Sequence, residues 1–350
     1  MAITPAKILA YPLSLVYGGL MLLREWLYAK GVFRRIGLSA PVLCVGNLTM
    51  GGTGKTPTVV ALGLLLQQKG LRISVLTRGY RGRHSGSPLL VSDGRQIIAT
   101  AEWAGDEALL LAHSLPGAVV VVGKNRAEAG KWVESRFPVD VHLMDDGFQH
   151  LRLKRDLNLL LIDVTNPWSG GLPPLGRLRE PVQGIRRADA VLLTHVDPRQ
   201  DYAAIAETVH RHAPGIPILR GVSRISHAGI PQDKECIGRE DFQGLEMLAF
   251  AGIGKPWFFF EGLKQLGARL RDQIAFPDHH RYTREDYRQI STRCRELKVK
   301  LVAITEKDAM RLDLSQLPGL RVAVVKMKLE FLEPDWVTLL LDSITRHETS

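Results

Sequence analysis

Cysteine is scarce: Cys44, Cys236 and Cys294 are the only three in 350 residues, an odd number with no C-x-x-C spacing. A disulfide framework and a cysteine-based zinc site are both excluded, and a reducing compartment is the natural setting. Long apolar runs are also lacking. The N-terminal uncharged stretch, Ile8 to Leu23 between Lys7 and Arg24, has 16 residues and is interrupted by Pro12 and Gly18-Gly19. As a helix it reaches about 24 Å, short of a roughly 30 Å hydrocarbon core. Arg24-Glu25-Trp26-Leu27-Tyr28 offers no small-residue cleavage site, so the stretch does not read as a signal peptide. Two readings stay open. Either the helix lies in or dips into one leaflet, with Trp26 and Tyr28 at headgroup depth and Lys30, Arg34 and Arg35 toward anionic lipid, or it docks on the core. Acidic residues are outnumbered, 36 against 46 basic, for a formal charge of +10. The excess favours an anionic partner, whether nucleic acid, membrane surface or phosphorylated substrate, without choosing among them. Repeats, low-complexity tracts and heptads are absent, and no nucleic-acid module is recognisable, so nucleic acid is not the expected partner.

What is present centres on Val42 to Val60, VLCVGNLTMGGTGKTPTVV. A β-branched apolar run leads into a glycine-rich loop, then Gly54-Lys55-Thr56, then an apolar-periodic segment: strand, loop, helix. In such a loop the backbone N–H groups of Thr49, Met50, Gly51, Gly52, Thr53 and Gly54 would close around phosphate oxygens at a helix start that already favours anions. Lys55 would reach the β- and γ-phosphates, and the Thr56 hydroxyl would ligate Mg²⁺. A strict P-loop has glycine six residues before the lysine; here that position is Thr49 and the nearest earlier glycine is Gly46.

Further strands are expected at Arg72 to Thr77, Ala118 to Val122, Val139 to Met144, Asn158 to Asp163 and Ala188 to Thr194. Their near-continuous apolar character suits a parallel sheet covered on both faces. The fold class is therefore α/β: a P-loop-type doubly wound parallel sheet, with ligands at the carboxyl ends of its strands. Asp145-Asp146 follows one such strand, where Mg²⁺ coordination opposite a P-loop requires a carboxylate. Gly105-Asp106-Glu107 opens a helix; two acids in a first turn are ordinary dipole compensation unless further evidence intervenes. Arg78-Gly79-Tyr80-Arg81-Gly82-Arg83 is either a phosphate-binding loop or a solvated turn. Pro167 to Pro181, with Arg177, Arg179 and Glu180, is too long and basic for a simple connector and is expected to line the site. Thr194-His195-Val196-Asp197 is similar to the guanine-reading N/T-K-x-D pattern, but His195 replaces the needed lysine, so guanine specificity is not expected. Five segments follow: an N-terminal membrane-associated helix (1–36), the P-loop core (37–225), a polar linker (226–243), a smaller α/β lobe (244–330) and a C-terminal helix (331–350). The smaller lobe carries Asp278-His279-His280, a loop crowded with titratable groups.

V-G-N-x-T-x-G-G-T-G-K-T-P, the G-D-E triplet, D-D-G-F-Q-H, L-x-R-L-R-E-P and F-x-D-H-x-x-Y together resemble tetraacyldisaccharide 4'-kinase, the lipid A 4'-kinase of Gram-negative bacteria, over essentially the whole chain. The family shares the shifted glycine pattern. The resemblance implies two α/β lobes joined by a β-stranded linker, and transfer of the γ-phosphate of ATP, with Mg²⁺, to the 4'-hydroxyl of a tetraacylated glucosamine disaccharide 1-phosphate lipid. It implies a peripheral or monotopic place at the cytoplasmic face of the bacterial inner membrane. By motif, Asp106 would be the catalytic base, paired with His279. Glu107, Asp145 and Asp146 would organise Mg²⁺ with Thr56, and Arg126, Gln149, His150, Arg179 and Glu180 would lie near the phosphates or the sugar. The alternative is a membrane-associated P-loop regulatory ATPase or GTPase; a nucleic-acid-dependent ATPase is suggested by charge alone.

Overall fold

The computed structural model describes residues 5–80, 82–84 and 86–345, with side chains from residue 10 onward. Arg81 of the arginine loop lies outside the described residues. The chain forms two compact units, one running to Val222 and resuming at Glu330, the other Ser223–Leu329.

In the first unit α1 (Pro5–Ala29) precedes β1 (Val42–Asn47), α2 (Lys55–Gln68), β2 (Ile73–Thr77), β3 (Leu89–Asp93), α3 (Ala101–Ala104), α4 (Asp106–Ser114) and β4 (Val119–Val122). Then come α5 (Arg126–Glu134), β5 (Val141–Asp145), β6 (Leu157–Asp163), β7 (Ala190–Thr194), α6 (Ala203–His212) and the start of β8 (Ile218–Ile230). The sheet order is β3-β4-β2-β5-β1-β6-β7-β8. Every pairing is parallel except β3 against β4. β1, β2, β4, β5 and β7 are buried at every position, as strands covered on both faces must be. β3, with no counterpart among the expected strands, is a short half-buried edge whose residues LLVSD carry neither a long apolar run nor strict alternation.

Register places the chemistry. β1 lies between β5 and β6, with Val45 opposite Asp145 and Asn47 opposite Leu161, so the loop after β1 emerges between the carboxyl ends of both neighbours. At Gly46 a Cβ would sit 2.6 Å from Phe148 Cβ and 2.7 Å from Phe148 N. Phe148 is itself fully buried, with the Arg187 guanidinium 4.7 Å from its ring centroid. The glycine is thus demanded by close approach of the Asp145–His150 segment, which explains why it stands there and not at Thr49. Gly46→Ala is expected to destabilise the unit by about 1–3 kcal/mol and to weaken nucleotide binding with it. A thermal melt unchanged from wild type would refute this.

The second unit holds the remainder of β8, β9 (Glu235–Gly238), β10 (Glu246–Ala251), α7 (Pro256–Gln265), β11 (Arg269–Ala275), α8 (Arg284–Glu296), β12 (Leu301–Thr305), α9 (Glu306–Ala309) and most of β13 (Arg321–Phe331). Its strands run in the order β11-β10-β12-β13-β8, with β9 antiparallel on β8. Phe242, Met247, Phe259 and Leu263 fill one side of this sheet, and Phe250, Ile290, Cys294 and Leu317 the other. Residues 226–243, expected as a polar linker, contain the antiparallel β8–β9 hairpin. Ile225, Ala228 and Ile230 are buried among half-exposed polar neighbours, so apolar spacing alternates between three and two and the strand period is masked. After β13, α10 (Pro334–Thr345) returns to the first unit, burying Val337, Leu341 and Ile344.

Candidate active site

The loop after β1 is organised by Asn47, which the motif contains but to which the sequence attaches no role. Its buried side-chain amide donates to Thr49 O (2.8 Å) and Thr53 Oγ1 (2.8 Å), and its carbonyl accepts from Lys55 Nζ (3.4 Å). Thr49 and Thr53 are themselves buried, so their side chains brace the loop. Thr49 also bridges antiparallel to Leu178, with Met50 N donating to Arg177 O and Arg179 N to Leu48 O. The Pro167–Pro181 loop therefore flanks the P-loop directly. Gly54 adopts φ +82° at the N-cap of α2, leaving Lys55 and Thr56 as the first helical residues.

Opposite stand the paired aspartates. Asp145 is buried; Thr77 Oγ1 donates to its Oδ2 (3.1 Å), while Oδ1 is buried without a hydrogen-bond partner. Burial pushes its carboxyl up to about 7, aided by the charges of Glu107 and Asp146 and opposed by Lys55. Asp146, in a left-handed conformation at φ +50°, receives Arg179 Nη1 at 2.7 Å and has Lys55 Nζ at 3.5 Å. Burial works against its charge, but Lys55 and Arg179 prevail and hold the carboxyl below its ordinary range. The doublet thus divides: one carboxylate is neutralised by side chains, and the other is charged at cost unless a cation arrives.

The remaining candidates gather around them. Arg126 begins α5 buried, its Nη1 donating to Lys124 O and its Nε without a partner, and burial lowers its pKa while Asp146 and Asp145 raise it. His150 has a buried, partnerless Nε2; desolvation and the charges of Arg126 and Arg155 draw its pKa down to about 4. Gln149 donates from one amide nitrogen to Asn47 O and Glu180 Oε1, both at 2.8 Å, and Glu180 Oε2 accepts from Arg187 Nη2 at 2.6 Å. Glu180 is accordingly a support for the loop. Asp106 is buried at the start of α4, and Glu107 follows close enough to Asp145 to raise its pKa. The backbone before Asp106 is wedged by the arginine loop: a Cβ on Gly105 would meet Tyr80 O at 2.5 Å. Arg83 of that loop pairs with Glu102.

α1 adds ties that the sequence did not signal. Tyr17 OH donates to Arg179 O (2.7 Å), Arg24 Nη2 to Gln149 O (2.9 Å), and buried Glu25 pairs with Arg187 (3.0 Å) and Arg186 (3.1 Å). Away from that stripe Tyr11, Leu13, Leu15, Val16, Leu20, Leu23 and Trp26 are each more than half exposed. One stripe of this helix docks on the core, and another presents exposed apolar side chains. Among the described residues, no helix is long and apolar enough to cross a membrane.

Comparison with known proteins decides between a kinase and a switch. The family model described as tetraacyldisaccharide-1-P 4'-kinase matches residues 6–345. The chain belongs to the tetraacyldisaccharide 4'-kinase family. It is 39% identical over 312 residues to the tetraacyldisaccharide 4'-kinase of Pelobacter propionicus (87% of this chain, 82% of that one), and 40% identical over 320 residues to that of Syntrophus aciditrophicus (88% and 85%). Among solved structures it resembles LpxK from Aquifex aeolicus, crystallised in complex with ATP, with TM-score 0.76, 31% identity and coverage of 95% of this chain and 98% of that one.

In this member of the tetraacyldisaccharide 4'-kinase family the histidine pair of the second unit separates by environment. His280 Nε2 lies 3.0 Å from Asp286 Oδ2, the carboxylate that closes the capping box of α8 with Thr283, and its ring stacks on Phe276 at 4.7 Å. His279 has φ +59°, gives its N–H to Gly252 O (3.0 Å) and has Lys307 Nζ 3.1 Å from its Nε2. Gly252 is held in turn by buried Asp308, which also accepts from Thr305, Tyr282 and Arg311. Burial and the Asp308 carboxylate push the Tyr282 phenol well above its ordinary range, so it stays a donor. His280 is architecture, therefore, and His279 is the one presented on a braced turn.

The depressed pKa of His150 has a consequence for stability. Its folded pKa lies below the unfolded value, so its contribution is present above about pH 6.5 and is lost as pH falls through about 4. His150→Gln is expected to show a shallower loss of melting temperature than wild type between pH 7 and 4.5. Parallel curves would remove His150 as the cause.

Proposed function

We infer that the chain catalyses the reaction for which its family is named, with Asp106 as the base and His279 as a second catalytic residue. The γ-phosphate of ATP passes to the 4'-hydroxyl of a tetraacylated glucosamine disaccharide 1-phosphate: the new O–P bond forms as the β–γ bridge breaks, ADP leaves, and Asp106 takes the hydroxyl proton. The product is the bis-phosphorylated lipid A precursor, lipid IVA. The observation that carries this reading is the cation-demanding pocket beside the P-loop, with Lys55 and Arg179 fixed on Asp146 and Asp145 Oδ1 left bare.

That buried carboxylate oxygen fits Mg²⁺, which Asp145 would hold together with Thr56, with Glu107 and Asp146 shaping the charge around it. Among the described residues no three His, Cys, Asp or Glu side chains are placed to hold one ion together. When bound, the ion neutralises triphosphate charge. The chain's own residues do the rest. Lys55 and the N-terminal end of α2 would bind the phosphates, and Asp106, buried at a helix start, would take the hydroxyl proton. Arg126, a cation kept out of water, suits developing phosphoryl charge. The exposed apolar residues of α1 support association with the inner membrane, on its cytoplasmic face where ATP is found, which would bring acyl chains to the site.

The test is direct. Incubated with γ-labelled ATP and the disaccharide 1-phosphate in detergent, the protein is expected to label the lipid. Label released only as inorganic phosphate, and faster with a protein partner, would support the regulatory NTPase instead. Leu15→Asp with Val16→Asp is expected to cut cosedimentation with anionic vesicles several-fold; unchanged sedimentation would refute the membrane role of α1.

A further inference from the structure

The helix α1 is amphipathic in the inverted sense. Leu13, Leu15, Val16, Leu20 and Leu23 point outward, each more than half exposed, while Ser14 and Glu25 are buried. Ser14, Tyr17, Gly18, Arg24 and Glu25 recur at the three-, four- and seven-residue spacing of a single helix stripe. That polar stripe is the seated one: Ser14 Oγ donates to Leu172 O at 3.3 Å, and a Cβ on Gly18 would lie 2.8 Å from Leu172 Cδ1. A helix that served only to hold the membrane would need no polar inner stripe. Here its polar groups are directed at the residues around the P-loop, by three routes. Tyr17 OH donates to Arg179 O at 2.7 Å, and the guanidinium of the same arginine donates to Asp146 Oδ1 at 2.7 Å. Arg24 Nη2 donates to Gln149 O at 2.9 Å. Glu25 forms an ion pair with Arg187 at 3.0 Å; Arg187 Nη2 donates to Glu180 Oε2, and Glu180 Oε1 accepts from Gln149 Nε2. Two of the routes meet at Gln149, whose Nε2 also donates to Asn47 O, in the residue whose side-chain amide braces Thr49, Thr53 and Lys55. The side chains of Glu25, Arg187 and Glu180 are largely buried, so solvent screens their charges little.

We propose that Tyr17 and Glu25 of α1 are positioning residues for phosphoryl transfer: the seat of this helix on the core fixes the loop after β1 and the arginine that faces Asp146. The proposal rests on the reading of the chain as a lipid 4'-kinase. Neither residue touches nucleotide or lipid; Glu25 acts through Arg187, Glu180 and Gln149, and Tyr17 through the backbone of Arg179. Phosphoryl transfer asks chiefly for cations held in register with the reacting phosphate. The backbone N–H groups of the loop stay available to the phosphates when these side-chain braces are cut, so turnover suffers more than nucleotide affinity.

Two measurements on the full chain test this. Kinetics with γ-labelled ATP and the disaccharide 1-phosphate in detergent give kcat and KM for ATP, and hydrogen exchange without nucleotide reports on the backbone of residues 47–56. Glu25→Gln keeps the shape of the side chain and removes its charge, and Tyr17→Phe removes one donor. Each is expected to lower kcat about tenfold, inside the roughly 10²-fold that a misplacement of about 1 Å costs, with KM for ATP within about twofold. Exchange at 47–56 is expected to rise several-fold while that of β6 and β7 stays as in wild type. In a Gln149→Ala background, Glu25→Gln is expected to lower kcat by less than about twofold further, because the route is already cut. Wild-type kcat in both variants, unchanged exchange at 47–56, protection lost evenly over the sheet, or losses that multiply with that of Gln149→Ala each overturn the inference. Should Glu25→Gln fail to fold, Tyr17→Phe, which deletes a single hydroxyl, decides by the same kcat and exchange criteria. A wild type that labels no lipid would sink the kinase reading, and exchange at 47–56 would still decide whether α1 holds the loop.

Discussion

Asp106→Ala is expected to lower kcat for lipid phosphorylation at least tenfold, toward the ~10²–10⁴ that a positioned base contributes, while ATP affinity stays within about twofold. The asymmetry follows from position. Lys55 and Thr56 begin α2 behind the Asn47-braced loop proposed to bind the triphosphate, whereas Asp106 begins a different helix, α4. Asp106 is buried at the first turn of α4 behind Gly105, where the arginine loop leaves no room for a side chain. His279→Ala is expected to act in the same direction, and His280→Ala to show chiefly as lost stability, because His280 serves the capping box of α8 and the Phe276 stack. Single-turnover kinetics with measured nucleotide binding separate these outcomes. Full turnover in either Asp106→Ala or His279→Ala removes that residue from the mechanism.

Asp145→Asn is expected to cut turnover by about two orders of magnitude or more and yet to raise the melting temperature of the metal-free protein at pH 8. Burial, Glu107 and Asp146 raise the folded pKa of Asp145 to about 7. For a group whose folded pKa lies above its unfolded value, the associated stability is complete below about pH 4 and is lost as pH climbs through about 7. At pH 8 wild type carries the full burden of an ionised, partly unsatisfied carboxylate, which an amide of the same shape does not. The advantage of the variant, a few degrees for a unit of this size, is expected to fade by pH 5 and to shrink at pH 8 when Mg²⁺ is added to both. Melts at two pH values, with and without chelator, check this. A variant less stable than wild type at pH 8 would show that Asp145 supports the fold in its charged form.

Much of this site was legible in the chain because it depends on local pattern. Apolar β-branched runs gave the parallel strands, and the glycine cluster before Lys55 gave the phosphate loop. The doublet at the end of a strand gave the acidic residues beside the phosphate loop, and Asp106 and His279 are proposed on family resemblance alone. Other parts left no trace. The β8–β9 hairpin was hidden because its buried positions are irregularly spaced, and β3 because an edge strand needs little apolar character. The choice between adjacent histidines rested on which one Asp286 and Phe276 occupy, and the uneven roles of Asp145 and Asp146 on where Lys55 and Arg179 reach.

What the sequence by itself determined was the class of fold, the nucleotide loop and the kinds of residue that carry the chemistry, since these follow from short-range periodicity and from glycines at a strand–helix junction. Only the tertiary structure decided which polar groups are satisfied and by whom. Tyr17 meets the backbone of Arg179 across 162 positions, and Gln149 meets Asn47 across 102. Such pairs are set by how packed elements bring distant backbone together, and no spacing along the chain encodes them.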